Sequence, residues 1–86
     1  MLKYELNIDM RATGVRIKAL RQEAGLTNQE LAETLGITVQ ALNKWQRGRE
    51  LPTFQRALML ARVLDVTVEE FVVEEQSQQS MEREQK

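Results

Sequence analysis

The segment from Leu26 to Gly48, LTNQELAETLGITVQALNKWQRG, constrains the fold more than any other part of this 86-residue chain. Thr27 followed three places later by Glu30 is a capping box, which begins a helix at the next residue after the threonine. Gly36 supplies the positive φ at which helices commonly end. Thr38 can cap the helix that follows. The pattern predicts two short helices joined by a tight turn.

The apolar residues of this segment lie where two crossing helices bury them. Leu31, Ala32 and Leu35 form the inner face of the first helix, and Leu42 and Trp45 that of the second. A small side chain at Ala32 keeps the crossing steep, so that the second helix protrudes. Its outward face then carries side chains suited to base edges and phosphates: Val39, Gln40, Asn43 and Lys44.

This segment, a helix-one pattern from Gly14 to Gly25 and the block PTFQRALMLARVLDVTVEEF together resemble the phage-repressor and Cro-like helix-turn-helix proteins, the XRE family. The resemblance runs from about Ala12 to Val73. It implies an all-α, five-helix lambda-repressor-like DNA-binding bundle, to which we add an N-terminal β-strand arm. It also implies that residues 39–46 lie in the major groove of double-stranded DNA. The base-reading positions would be Val39, Gln40, Asn43 and Lys44.

Side-chain chemistry suggests what each of these positions contacts. Gln40 can bond bidentately to adenine and Val39 can touch a thymine methyl, whereas Asn43 can reach adenine or a phosphate and Lys44 guanine or a phosphate. Basic residues near the end of the second helix and residues at helix N-termini are expected to bind DNA phosphates. This phosphate set is Asn28, Thr38, Arg47, Arg49 and Thr53.

Three residues depart from the family pattern. Asn28 stands where a longer Gln commonly begins the second helix and binds a phosphate. Gln46 stands where a Glu usually pairs with a helix-one arginine, a position held here by Arg21, so a neutral hydrogen bond is expected instead of an ion pair. Asp65 replaces the Gly that usually closes helix four, and Asp tolerates the left-handed conformation.

The remaining helices are predicted from their caps and apolar spacing. Thr13 is expected to cap helix one, which ends at Gly25, and Thr67 with Glu70 to open a short fifth helix as a second capping box. Pro52 precedes helix four, which Thr53 can cap. The expected inner positions are Ile17, Leu20 and Ala24 in helix one, and Phe54, Ala57, Leu58, Ala61 and Leu64 in helix four.

The first ten residues alternate strictly between apolar and polar side chains, which predicts a strand. A lone strand leaves its backbone groups unpaired, so we expect two arms to pair antiparallel across the two-fold axis of a homodimer. Two alternatives stay open: pairing with residues 71–74 of the same chain, and a disordered arm. The expected dimer residues are Leu2, Tyr4, Leu6 and Ile8 of the arm, with Val72 and Val73 near the fifth helix.

Length and composition fit one small domain. We expect residues 1–11 to form the arm, 12–74 the DNA-binding domain and 75–86 a polar, disordered tail. The net charge is −1, but residues 11–64 carry nine basic and four acidic groups, whereas residues 65–86 carry seven acidic and two basic ones. The predicted helix-turn-helix body is therefore basic, as DNA binding requires.

Several classes of function are disfavoured by residue content. The chain has no cysteine and no histidine, so we expect no disulfide, no metal site, no cofactor and no catalytic residues. Neither a membrane span nor a signal peptide is expected, and the chain fits the cytoplasm of a bacterium or a phage-infected cell, on the nucleoid.

The sequence thus predicts a DNA-binding transcriptional regulator, a repressor that binds a palindromic operator as a homodimer. The alternative is an antitoxin or accessory module whose main partner is another protein, a toxin or a regulator.

Overall fold

Four α-helices and one 3-10 turn make up residues 3–75, the part of the chain that the computed structural model describes. The helices are α1 (Met10–Glu23), α2 (Asn28–Leu35), α3 (Val39–Gln46) and α4 (Phe54–Leu64), and the 3-10 turn is Val68–Glu70. The all-α class is confirmed, but the five-helix count is wrong. Within these residues no helix is long and apolar enough to cross a membrane.

The caps of α2 and α3 are those that the sequence predicts. The Glu30 amide donates to the Thr27 hydroxyl (3.1 Å), and the Thr27 amide donates to the Glu30 carboxylate (2.9 Å). Gly36 closes α2 with φ of 71°, and the Thr38 hydroxyl accepts from the Ala41 amide that follows it in α3. These local bonds satisfy helix-end groups that would otherwise lack partners, and they fix the turn between the two helices.

α1 begins four residues before the predicted helix. Asp9 is its cap, because its carboxylate accepts from the Ala12 amide at 2.9 Å. Thr13, predicted as the cap, lies inside the helix with only 1% of its surface exposed, and its hydroxyl accepts from the Val73 amide. Thr13 thus joins α1 to the end of the domain. Ala24, predicted inside helix one, is instead an exposed C-cap.

One apolar core holds the four helices together. α3 contributes Leu42 and Trp45, which pack among residues of the other helices and of the segment after α4. α1 crosses α3 at Gly14, where a Cβ would lie 2.4 Å from the Trp45 carbonyl oxygen. The other fully buried apolar side chains are Ile17, Leu31, Leu60 and Phe71.

The buried stripe of α4 is rotated from the predicted one. Phe54 and Leu58, expected to face inward, are 82% and 40% exposed, whereas Leu60 is fully buried. Ala61 and Leu64 face the core as predicted. The apolar pattern of α4 is wider than the core it covers, so one edge of it remains in solvent. Asp65 ends the helix in the left-handed region with φ of 59°, as expected.

The predicted fifth α-helix is a single 3-10 turn, which is followed at once by hydrogen bonds between Val73 and both Thr13 of α1 and the α1 cap residue Asp9. Glu70 accepts from the Thr67 amide (2.9 Å), which is one half of the predicted capping box. Immediately afterwards Val73 donates to Thr13 and its carbonyl accepts from the Asp9 amide at 2.7 Å. These bonds hold the chain extended, so the helix cannot continue past Phe71.

The predicted N-terminal β-strand arm is also wrong. Among residues 3–75 its pairing is limited to one antiparallel bridge, Ile8 with Glu74, where the Glu75 amide donates to the Asn7 carbonyl (2.8 Å). This bridge matches the alternative in which the arm pairs with residues 71–74 of the same chain. Tyr4 is 82% exposed and Leu6 is exposed, without strand structure. Alternating apolar and polar residues indicate which face of a strand would be buried, but they do not identify the partner strand. Here the segment at Glu74 lies beside the N-terminal residues over one bridge only, among the described residues. Leu2 and the predicted tail from residue 76 onward lie outside the described residues.

Candidate nucleic-acid interface

α3 is held by one face and presents the other. Leu42 and Trp45 are 0% and 4% exposed, which fixes the helix against α1 and α2. Gln40 and Lys44 are exposed on the opposite side, with Asn43 half-buried between them. Val39, the fourth predicted base reader, is half-buried and packs partly against the core.

A concave surface gathers most of the predicted DNA-binding residues. Gln40, Asn43 and Lys44 from α3 line it together with Arg47 and Arg49 from the following loop. Its lining contains three cations, two carboxamides and no carboxylate. A surface of this composition attracts phosphates and offers donors and acceptors to bases. Five residues that were predicted separately from the sequence therefore line one continuous surface.

A second concave surface extends this site onto α1 through Arg47 and Arg49, which line both. It adds Arg11 and Val15, which sequence reasoning did not assign to the interface. Gly48 brings the two segments together, since a Cβ there would lie 2.6 Å from the Arg11 Cα. The positive charge of Arg11 was the one sequence feature that could have suggested a DNA contact. Its position beside Arg47 and Arg49 follows only from the contact between α1 and the loop at Gly48.

Side-chain hydrogen bonds tie the end of α3 to α1 and α2. The Arg21 Nε donates to Gln46 Oε1 (3.0 Å), which confirms the predicted neutral replacement of the ion pair. Gln46 Nε2 donates in turn to Asn28 Oδ1 (2.9 Å) and, at 3.3 Å, to Asn43 Oδ1. Arg21 is 8% exposed and also donates to the Leu26 carbonyl. A buried cation therefore sits at the centre of the helix-turn-helix.

The other predicted phosphate-binding residues lie at helix N-termini. Thr38 and Thr53 are exposed N-caps of α3 and α4, and each hydroxyl already accepts a helix amide. Asn28 is the first residue of α2 and is half-buried beside Gln46. At all three positions the helix dipole favours an anion.

An apolar groove lies on another face of the domain. Two predicted dimer residues, Ile8 and Val72, line it, and the exposed Phe54 stands at its edge. Tyr4 and Leu6 are exposed, whereas Val73 is half-buried and bonded through its backbone to α1. Sequence reasoning assigned Phe54 to the core and so missed it here. The remaining lining residues are Thr13, Leu51, Pro52, Ala57, Val68 and Phe71.

Across residues 3–75 no cluster of acidic side chains could hold a metal ion.

A family model and a protein of known name both match this chain in sequence. The helix-turn-helix family model matches residues 17–71. A protein of Pyrococcus horikoshii, named as a presumed HTH-type transcriptional regulatory protein, is 38% identical over 56 residues, which are 65% of this chain. The chain spans only 18% of the length of that relative.

Two solved structures have the same arrangement of helices. The restriction-modification controller protein C.AhdI from Aeromonas hydrophila superposes with a TM-score of 0.68 at 28% identity, over 73% of this chain and 96% of that one. The biofilm regulator SinR, solved in complex with DNA, gives a TM-score of 0.62 at 36% identity, over 66% and 92% of the two chains.

Proposed function

Because the chain belongs to the helix-turn-helix family of the XRE type, we propose that it is a sequence-specific DNA-binding transcriptional regulator. In this proposal α3 enters the major groove, with Val39, Gln40, Asn43 and Lys44 toward the bases. Family membership also favours a DNA-binding regulator over an enzyme. The observation that carries the proposal is the concave surface on which α3 carboxamides meet the cations Arg47 and Arg49.

The phosphate backbone is bound around this centre. Arg47 and Arg49 flank the base-reading face of α3, and Arg11 extends the positive surface along α1. Asn28, Thr38 and Thr53 add helix N-termini, where backbone amides attract phosphate. Contacts of this kind set the register of the protein on the duplex, while the α3 side chains supply the sequence preference.

The decisive experiment selects an operator from random-sequence duplexes and compares variants on it and on a shuffled duplex. Gln40→Ala is expected to weaken operator binding by about 1–3 kcal/mol and to spare the shuffled duplex. Gln22→Ala, an exposed glutamine on α1, is the matched control and should change neither. Equal loss on both duplexes for Gln40→Ala would contradict base reading.

Salt dependence separates this function from the alternative of an antitoxin or accessory module that binds only a protein. A DNA-binding surface gives a steep negative slope of log affinity against log salt, and Arg47→Ala should reduce that slope by about 1. A protein-binding module has no such slope on any duplex. An absence of salt-dependent binding would therefore favour a toxin or regulator as the main partner.

We propose further that the protein acts as a homodimer on a palindromic operator. The apolar groove beside Phe54 supports this, because the exposed side chain and the groove lie on one face, as a self-complementary two-fold contact requires. Ile8 and Val72 would lie inside that contact. Two copies of α3 about 34 Å apart would then read the two half-sites.

Sedimentation tests this dimer against pairing through the N-terminal arm. Phe54→Ser should lower dimer affinity without destabilising the folded monomer, since Phe54 is 82% exposed in the single chain. Val15→Ser, a 60% exposed position on α1, is the control. Removal of residues 1–6, which takes away Leu2, Tyr4 and Leu6, should leave the dimer intact. If that removal dissociated the dimer while Phe54→Ser did not, the arm would be the interface.

We also propose repression as the regulatory outcome, because a dimer bound across an operator excludes other proteins from the same stretch of duplex. A reporter with the selected operator overlapping its promoter should fall in expression when the chain is supplied. Gln40→Ala should restore expression, and a rise with the unaltered chain would instead indicate activation.

A further inference from the structure

The hydrogen bonds around Gln46 have a fixed direction because they begin at a cation. Arginine has five donors and no acceptor, so the Gln46 oxygen must face Arg21, where the Nε–Oε1 distance is 3.0 Å. The Gln46 amino group must then face away from Arg21. It meets the side-chain oxygens of Asn28 and Asn43 at 2.9 and 3.3 Å.

This direction determines what Asn43 offers on the DNA-binding surface. An asparagine can turn either its oxygen or its amino group outward, and hydrogen bonds to its neighbours decide which. Here Gln46 donates to the Asn43 oxygen and turns it toward the protein, so the amino group is the end turned toward a ligand. Asn43 lines the same concave surface as Gln40 and Lys44. Its amino group therefore adds a donor beside the cations.

We propose that Gln46 is a positioning residue which makes Asn43 a hydrogen-bond donor, so that the base read by Asn43 is guanine. This inference rests on the proposed DNA-binding function and deepens it. Guanine presents two neighbouring acceptors in the major groove, N7 and O6, whereas adenine presents one acceptor and one donor. Bidentate contact with adenine needs both the Asn43 oxygen and its amino group turned toward the base, and the hydrogen bond from Gln46 turns the oxygen toward the protein instead.

The substitution Gln46→Glu reverses the direction of the hydrogen bond between residues 46 and 43 while preserving the shape of the side chain. A glutamate at position 46 still accepts from Arg21, but its carboxylate has no hydrogen to donate. Asn43 would then turn its amino group toward that carboxylate and its oxygen toward the DNA. An outward oxygen accepts from adenine N6 or cytosine N4. The preferred base should therefore change from guanine to adenine or cytosine.

The experiment begins with an operator selected by the unaltered chain, as above. The base pair beneath Asn43 is the one at which Asn43→Ala abolishes discrimination. Dissociation constants are measured for all four base pairs there, at one salt concentration, with the unaltered chain, Gln46→Glu, Asn43→Ala and the double variant. Ratios of the dissociation constants for the four base pairs are compared, because the added negative charge of Gln46→Glu weakens phosphate binding, and so affinity, equally for all four.

The unaltered chain should prefer guanine by roughly tenfold, and Gln46→Glu should prefer adenine or cytosine. The double variant should match Asn43→Ala, which would show that Gln46 acts through Asn43. A preference unchanged by Gln46→Glu would overturn the inference. So would an Asn43→Ala variant that discriminates at every position as before.

A second measurement holds even if Gln46→Glu does not fold. Replacing the guanine beneath Asn43 by 7-deazaguanine removes N7 and should weaken binding of the unaltered chain several-fold, but not that of Asn43→Ala. Equal weakening of both would refute the donor role. If the unaltered chain bound no duplex in a salt-dependent way, the proposed function itself would fail, which is a distinguishable result.

Discussion

Replacing Gly14 by alanine should destabilise the domain, although alanine is the better helix former. Helix propensity alone favours Ala over Gly by about 1 kcal/mol in a helix interior. Gly14, however, lies where α1 crosses α3, and a Cβ there would approach the Trp45 and Gln46 carbonyl oxygens to 2.4 and 2.5 Å, whereas ordinary contact begins at 3.4 Å. Because those oxygens belong to the backbone, the two helices must separate by about 1 Å.

The cost follows from overpacking. Inserting a methyl into a tight contact costs about 1–3 kcal/mol net of relaxation, and more where backbone must move. Since 1 kcal/mol corresponds to about 4–8 °C in a domain of this size, a cost of about 1–3 kcal/mol should lower the melting temperature of Gly14→Ala by about 4–24 °C. The displaced end of α3 carries Asn43 and Lys44, which we propose to contact DNA, so operator affinity measured at temperatures below the melting transition should also fall.

Thermal unfolding followed by circular dichroism checks this with a matched pair in the same helix. Lys18 is exposed in α1, so the Lys18→Ala variant should be more stable than Lys18→Gly by about 1 kcal/mol. Alanine should thus be less stabilising than glycine at position 14 and more stabilising than glycine at position 18. A Gly14→Ala protein that melts higher than the unaltered chain would refute the close crossing.

Four further substitutions test three local parts of the fold by urea unfolding. Asp65→Gly should raise stability by up to about 1 kcal/mol, because glycine adopts the left-handed conformation of Asp65 without steric cost; a clear loss would mean that the Asp65 side chain is needed. Leu60→Ala should cost about 2–5 kcal/mol and Leu58→Ala less than about 1, since only Leu60 is fully buried; equal costs would contradict the rotated stripe of α4. Thr27→Ala should cost about 1 kcal/mol by removing the cap of α2, and a neutral result would make that cap dispensable.

The parts of the fold that depend on neighbouring residues could be predicted from the sequence. The Thr27 box, the Gly36 turn and the Thr38 cap each need only three or four consecutive residues, and all three are present. The left-handed Asp65 belongs to the same class. Such motifs satisfy helix-end groups locally, so their chemistry is complete within the segment that carries them.

The parts that depend on distant residues could not be predicted. The cap of α1 is Asp9, and Thr13 lies inside the helix, where its hydroxyl accepts from the Val73 amide sixty residues away. Phe54 looks like a core residue by spacing, but whether the edge of an apolar stripe is covered depends on neighbouring elements that spacing does not specify. Likewise the alternating N-terminal residues predicted a strand, yet among residues 3–75 only Ile8 of this segment forms a β-bridge.

The candidate site combines both kinds of information. The outward face of α3 follows from its buried anchors, and therefore from the sequence. The convergence of Arg11 with Arg47 and Arg49 requires the α1–loop contact at Gly48, which only the folded chain reveals.

The contact between Arg21 and Gln46 shows why stability and base preference can be changed separately here. A buried guanidinium needs acceptors, and either a carboxamide or a carboxylate oxygen at position 46 supplies one. The fold therefore constrains only the atom that faces Arg21. The other end of the side chain faces Asn28 and Asn43, and there a donor and an acceptor have opposite consequences for what Asn43 turns toward DNA. A single position can thus supply the acceptor that Arg21 needs in two ways while presenting Asn43 with either a donor or an acceptor.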